Sequence, residues 1–360
     1  MTQVFQCPTK IYMCEDGLKE AGTIIKDLGY KKVFVLIGGG SVKKLGLLER
    51  LENSLKENEI EYVIKGGIEP NPDISFVREN LPYIREYSPD LILAFGGGSV
   101  IDTAKNIIHS YFYEGDPLDF NRKTYISSNV LPLGVILTLS ASGSEMSSSC
   151  VMSSREDNFK QGFNHVTNYP TFSILDPKLT YSVNRYQTAC GIVDIISHSF
   201  ERYFSSSSRY ELSDNLALGV IRDVVDLTKE VLDNPESYEA RRSMMLAGAI
   251  SHNGITSFGK THLFRCHFVE HQLSAKYPLL THGLGLRFLL NEYLKINRKL
   301  FEEKILKFGR FVFDIDSTSV DDTIERFESY LTSLGLPNSL EEYGLSKEER
   351  DYYINQLILN

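Results

Sequence analysis

"DLILAFGGGSVIDTAKNIIHSYF" occupies residues 90–112 and decides the fold. An apolar strand runs into a glycine turn, and the turn opens an amphipathic helix. The same order stands earlier in the chain, in "KKVFVLIGGGSVKKLGLLERLENSLK" (31–56), with Ser41 58 positions before Ser99. "VLPLGVILT" (130–138) and "FSILDP" (172–177) read as further strands. Continuous apolar strands alternating with helices imply a parallel sheet covered on both faces, a Rossmann-like α/β arrangement.

From about Asn184 the pattern changes. Helical segments are expected at 187–204, 209–232, 238–252, 262–275, 282–308 and 318–334, with no convincing strand between them. The serine run at 205–208 reads as a loop, and "DNPES" (233–237) as a helix break. A boundary near 178–184 divides the chain into an α/β dinucleotide-binding domain (1–180) and an all-helical metal-binding domain (181–360).

Composition narrows the function classes. The 360 residues carry a net charge of −9, so the basic footprint of a nucleic-acid-binding protein is missing. No run approaches the roughly 20 apolar residues of a membrane span. The opening "MTQVFQCPTK" has neither the basic patch nor the apolar core of a signal peptide. The five cysteines are scattered and form no CxxC, which points to reduced thiols and a cytoplasmic protein.

Two features carry chemistry. The first is the pair of glycine turns. Gly97, Gly98 and Ser99 are candidates for a pyrophosphate cradle, because free N–H groups at a helix start face an anion with the helix dipole behind them. Gly38, Gly39, Gly40 and Ser41 form the second turn. The spacing is neither GxGxxG nor a P-loop, and a tight strand–helix turn without a ligand is the bland alternative for each. Two such turns at the carboxyl ends of parallel strands favour a ligand, since that edge is where open α/β sheets bind one.

The second feature is a set of polar residues on greasy helices. In "CGIVDIISHSFERYF" (190–204), Asp194 and His198 lie four residues apart and therefore on one helical face. His267 and His271 repeat that spacing, and His282 precedes a glycine. Asp194, His198, His267 and His282 make a candidate three-nitrogen, one-oxygen site for a divalent ion, iron or zinc in preference to magnesium or calcium. His109, His165, His252 and His262 read as structural.

With these residues in view, the chain resembles the iron-containing (group III) alcohol dehydrogenase family, in its NADPH-dependent butanol dehydrogenase and broad-specificity aldehyde reductase branch. The resemblance runs through "GGGSVKKLG", "GGIEPNP", "FGGGSVIDTAK", "TLSASGSEMS", "LDPKLTYS", "GIVDIISHSFERYF", "ARRSMMLAGAISHNG" and "HFVEHQLSAKYPLLTHGLG", in family order. It implies that Asp194, His198, His267 and His282 are the metal ligands and that His271 stands near the nicotinamide without binding metal. It further implies that Gly97, Gly98 and Ser99 hold the pyrophosphate, that Asp102 borders the nicotinamide, that Thr138, Ser144 and Lys160 touch the cofactor, and that Asn71 lies near the adenosine. Ser140, Ser142 and Asn184 depart from the family's usual proline, threonine and proline.

The activity implied is metal-assisted hydride transfer between a nicotinamide cofactor and a small aldehyde or primary alcohol, by a homodimer with no nucleic-acid or membrane partner. Gly39 stands where members preferring NAD(H) carry an acidic residue, so NADP(H) is the expected cofactor. A polyol dehydrogenase of the glycerol type and a non-catalytic dinucleotide-binding protein are the rival readings. "EHQLSAKYPLLTHG" favours the aldehyde reductase branch over the first, and the intact ligand positions argue against the second.

Overall fold

The computed structural model describes residues 4–205 and 211–359. They fall into two compact units. The first comprises residues 6–140 and 144–182, and the second residues 183–359 with 4–5 and 141–143.

The first unit is built on a six-stranded parallel sheet. Its strands are β1 (Lys10–Met13), β2 (Lys32–Gly38), β3 (Glu61–Ile68), β4 (Leu91–Gly96), β5 (Leu133–Leu137) and β8 (Phe172–Leu175). A separate antiparallel hairpin is formed by β6 (Ser149–Ser154) and β7 (Phe159–Asn164). Helices α1 (Gly17–Asp27), α2 (Ser41–Lys44), α3 (Leu47–Glu57), α4 (Ile74–Tyr87) and α5 (Gly98–Ser110) connect the strands. Strands β4 and β5 are buried along their whole length, as sheet covered on both faces must be.

Sheet order is β1-β8-β5-β4-β2-β3. From β2 the chain first moves outward to β3, then returns to place β4 on the other side of β2. The order therefore reverses between β2 and β4, and both glycine turns leave the carboxyl ends of those two neighbouring strands. At Gly40 the φ of +115° is one that a side chain would resist, and this residue immediately precedes α2.

The second unit is helical, comprising α6 (Arg185–Tyr203), α7 (Glu211–Asp233), α8 (Tyr238–His252), α9 (Arg265–Lys276), α10 (His282–Ile296), α11 (Glu302–Phe313), α12 (Val320–Ser333) and α13 (Lys347–Asn355). Asn184 caps α6, its Oδ1 accepting the Gln187 N–H at 2.8 Å. Buried residues surround α6 on every side, the signature of a helix that forms the core of its unit. Its aromatic end packs into a cluster with α10, α11 and α12, where Phe200 stacks on Phe327 with centroids 5.5 Å apart.

The expected helix over 282–308 is in fact two helices. Asn297 ends the first one: its Nδ2 donates to the carbonyls of Tyr293 and Leu357, both at 3.0 Å, and its Oδ1 accepts the Leu359 N–H at 3.0 Å. A side chain that recruits a distant segment gives no sign in the local pattern. The Ser237 cap on α8 agrees with the break expected at 233–237. Ser205 follows α6, and residues 206–208 of the serine run lie outside the described residues, as do 209 and 210. Among the described residues no helix is long and apolar enough to cross a membrane.

Candidate metal centre and dinucleotide site

Helix α6 carries Asp194 and His198 inward, 4% and 3% exposed. Helix α9 supplies His267, 7% exposed, and the first residue of α10 is His282. The three imidazoles converge on one carboxylate oxygen. Asp194 Oδ1 lies 3.7 Å from His198 Nδ1, 3.6 Å from His267 Nε2 and 3.7 Å from His282 Nε2. Donor atoms of Asp194, His267 and His282 all lie within 4.8 Å of one another. His198 stands at the edge of this set, its ring stacked on that of His267 with centroids 4.6 Å apart.

Asp194 Oδ1, His198 Nδ1 and His267 Nε2 are buried and have no hydrogen-bond partner. Leaving one such atom unpaired costs about 1–3 kcal/mol, so three together facing one point call for a shared partner. A tetrahedral ion with bonds of about 2.1 Å separates its ligands by about 3.4 Å, close to the distances found here. The four residues therefore fit a divalent ion, and a nitrogen-rich set suits iron or zinc.

Two carboxylates stand behind the ligands. Glu201 Oε2 contacts His267 Nδ1, and Glu270 Oε2 contacts His282 Nδ1. Burial by itself lowers the pKa of His267, but Glu201 and Asp194 outweigh it and lift the value to about 9. His198 goes the other way: burial, with His252, His267 and Arg202 nearby, holds it well below the usual imidazole range.

His252, read from sequence as purely structural, lies with its ring centroid 4.0 Å from that of His198. Arg202 braces the pair, donating to the His198 carbonyl at 3.1 Å and to the Ser251 carbonyl at 2.6 Å, with its guanidinium 4.7 Å over the Phe264 ring. His271 is part of a neighbouring group with Glu270 and His282, its ring centroid 5.7 Å from that of His282.

Of the expected cofactor residues, Gly97, Gly98, Ser99 and Thr138 follow the carboxyl ends of β4 and β5, whereas Asn71 follows β3, Lys160 lies on β7 and the Gly38–Ser41 turn follows β2. Gly97 precedes α5, whose start has no side-chain cap, so the N–H groups of the Gly97–Ser99 turn are not claimed by a capping side chain. Thr138 lies beside this turn, its N–H donating to the Gly96 carbonyl at 3.1 Å. Asp102 accepts from Ser144 Oγ at 2.6 Å and from the Val151 N–H at 3.1 Å, and burial raises its pKa although Lys105 opposes this. Lys160 Nζ donates to Asn71 Oδ1 at 3.0 Å, bringing two more of the expected residues together. Gly39 and Ser41 are exposed in the turn after β2.

Lys105 was missed by the sequence reading. It is fully buried, and Nζ donates to the carbonyls of Ser144, Ser147 and Ser149 at 2.7, 3.0 and 2.7 Å and to Ser144 Oγ at 2.8 Å. This ammonium fastens the serine-rich segment that presents Ser144. Glu201 and Glu270 were missed as well. Their one signal was position: each stands three residues after a histidine ligand, on a buried stretch of helix.

Residues 8–177 match the family model described as iron-containing alcohol dehydrogenase. Residues 188–357 match the C-terminal model of the Fe-containing alcohol dehydrogenase family. The chain is 37% identical to NADH-dependent butanol dehydrogenase A of Clostridium acetobutylicum, over 99% of this chain and 92% of the relative. It is 32% identical to the NADPH-dependent aldehyde reductase YqhD of Escherichia coli, over 88% and 83%. The crystal structure of an NADH-dependent butanol dehydrogenase A from Thermotoga maritima superimposes with a TM-score of 0.93 at 34% identity, covering 99% of this chain and 90% of that one. Matched along nearly its whole length in sequence and in structure, the chain belongs to the iron-containing alcohol dehydrogenase family.

Proposed function

We propose that this NAD(P)-dependent alcohol dehydrogenase reduces small aldehydes and oxidises primary alcohols, with one divalent ion held by Asp194, His198, His267 and His282. The observation that carries the reading is the set of three buried, unpartnered donor atoms, Asp194 Oδ1, His198 Nδ1 and His267 Nε2, turned toward one point with His282 Nε2 beside them. When bound, such an ion supplies Lewis acidity toward a carbonyl oxygen. The nicotinamide supplies the hydride chemistry, and the protein's share is binding and orientation. In that share, the Gly97–Ser99 turn holds the pyrophosphate, and Asp102, Thr138, Ser144 and Lys160 border the cofactor. The test is metal content together with NADPH and NADH oxidation in the presence of butanal. A metal-free protein that turns over at full rate would refute the metal assignment, and absence of any turnover would refute the enzyme.

His271 is proposed to place the substrate or pass it a proton through a ring nitrogen, without holding the ion. His271→Ala is then expected to keep its metal and lose about a hundredfold in kcat/KM, the low end for general acid–base catalysis. A variant that loses its metal as well would remove the distinction between His271 and its ligand neighbours.

The cofactor preference is proposed to be NADP(H). Gly39 offers no carboxylate to repel a 2′-phosphate, and Ser41, Lys43 and Lys44 are exposed beside it. The clostridial relative is named for NADH and the Escherichia coli relative for NADPH, so measurement decides between them. A side chain at Gly39 meets nothing within 4 Å, and its φ is not in the left-handed region, so Gly39→Asp changes charge without strain. Loss of charge-assisted hydrogen bonds costs about 1.5–3 kcal/mol, roughly ten- to a hundredfold in binding. That loss is expected in kcat/KM for NADPH, with little change for NADH. Equal or better use of NADH by the unaltered protein would sink the proposal. A cytoplasmic homodimer completes the reading: all five cysteines are free thiols, and sedimentation measures the mass.

A further inference from the structure

We infer that Glu201 and Glu270 are positioning residues for the metal centre, and that Glu201 also sets the separation of the two helices that carry its ligands. The inference rests on the metal reading above and concerns residues that reading does not place on the ion.

Glu201 lies on α6, one turn beyond His198, and is 1% exposed. Its carboxylate reaches across to the start of α9. Oε1 accepts the Cys266 N–H at 2.5 Å, and Oε2 accepts the His267 N–H at 3.2 Å while also contacting His267 Nδ1. The residue before α9, Phe264, offers no capping side chain. Glu201 therefore does from a neighbouring helix what a local cap does elsewhere: it satisfies the first free N–H groups of α9 and places negative charge at the positive end of its dipole.

The same carboxylate fixes the imidazole. With Nδ1–H turned to Glu201, Nε2 is the nitrogen left for an ion, which would displace any proton there, and Nε2 is the atom that faces Asp194 Oδ1 at 3.6 Å. One side chain thus ties the helix of Asp194 and His198 to the helix of His267, and sets both the tautomer and the direction of His267.

Glu270, fully buried on α9, does the second half of this for α10. It contacts His282 Nδ1, which turns His282 Nε2 toward Asp194 Oδ1 at 3.7 Å. The C-terminal end of its influence is close packing: a side chain at Gly285, one turn into α10, would meet Glu270 Cγ at 2.8 Å. Glu201 and Glu270 thus link α6 to α9 and α9 to α10, through the imidazoles themselves. Partners of this kind commonly contribute ten- to a hundredfold to metal affinity.

The test uses Glu201→Gln and Glu270→Gln, which keep size and one acceptor oxygen but remove the charge. The metal dissociation constant of the stripped protein is measured by chelator competition with zinc. The visible spectrum of the cobalt-substituted protein reports ligand geometry, and thermal melting reports the fold. Each variant is expected to bind zinc about ten- to a hundredfold more weakly than the unaltered protein and to show an altered cobalt spectrum. Glu201→Gln is expected to lose thermal stability as well, because it alone touches the start of α9. Should Glu201→Gln fail to fold, Glu270→Gln still decides the question, since it caps no helix. Unchanged zinc affinity and an unchanged cobalt spectrum in a folded variant would overturn the inference while leaving the metal site intact. An unaltered protein that binds no zinc, iron or cobalt would overturn the metal reading itself.

Discussion

His267→Ala is expected to bind no stoichiometric metal and to lose about a thousandfold or more in kcat/KM. The substitution removes the Nε2 that faces Asp194 Oδ1 at 3.6 Å and the acceptor's partner on Glu201. Three ligands then remain, with Glu201 and Asp194 buried and deprived of an imidazole between them. Lewis-acid stabilisation supplies several kcal/mol to a reaction of this kind, and each 1.36 kcal/mol is about a factor of ten in rate. Metal content by elemental analysis and kcat/KM with butanal give the answer, with circular dichroism to show a retained fold. Full occupancy at near-normal turnover would remove His267 from the site.

Gly283→Ala is expected to do nearly as much damage through packing alone. Gly283 follows His282 at the start of α10, where a Cβ would lie 2.2 Å from the Cys190 carbonyl oxygen and 2.7 Å from the Cys190 Cα. Those are backbone atoms of α6, which no rotamer can move. Restoring ordinary contact at 3.4 Å means opening the two helices by about 1.2 Å. Metal–ligand distances tolerate about 0.2 Å, so His282 is carried out of reach of the group around Asp194. Overpacking against backbone costs about 3 kcal/mol, or a fall of roughly 6–12 °C in melting temperature for a unit of this size. Calorimetry and metal content test both effects. A variant with unchanged melting and full metal would show that α6 and α10 do not meet so closely.

The site was legible in the sequence to the extent that its residues broke local rules. Asp194 and His198 are out of place on an apolar helix, and their spacing puts them on one face whatever the surroundings. The glycine turns were visible because each follows an apolar strand, although only the sheet order shows that β2 and β4 are neighbours across a reversal. Glu201, Glu270 and Lys105 stayed hidden for the opposite reason. A charged residue on a helix reads as solvated, and its burial follows from partners far along the chain. For Lys105 these are the carbonyls of Ser144, Ser147 and Ser149. Strands β1 and β3 were missed because they have no fully apolar run: β1 is four residues long with its first residue exposed, and β3 is mostly half-buried. The break at Asn297 was missed because the docking of residues 357 and 359 on Asn297 is a tertiary event. Helix α13 was missed although Ser346 and Glu349 form a capping box at its start, because it carries no apolar stripe and Tyr353 is its one buried residue.

The pairing of β1 with β8 has a consequence for the order in which the protein comes into being. Lys10 lies opposite Phe172, and Met13 opposite Leu175. A ribosome adding about 5–20 residues per second takes roughly 8–32 s to travel between these partners. During that time β2, β3, β4 and β5 are already made and can pair with one another, whereas the first strand has nothing to join. The earliest stretch of the sheet to be synthesised is thus the last to be incorporated. Its final addition closes a long loop for only a few hydrogen bonds, an expensive and slow kind of contact. Birth order and assembly order run in opposite directions at this edge, so a nascent chain halted before residue 172 holds a sheet that lacks its own first strand.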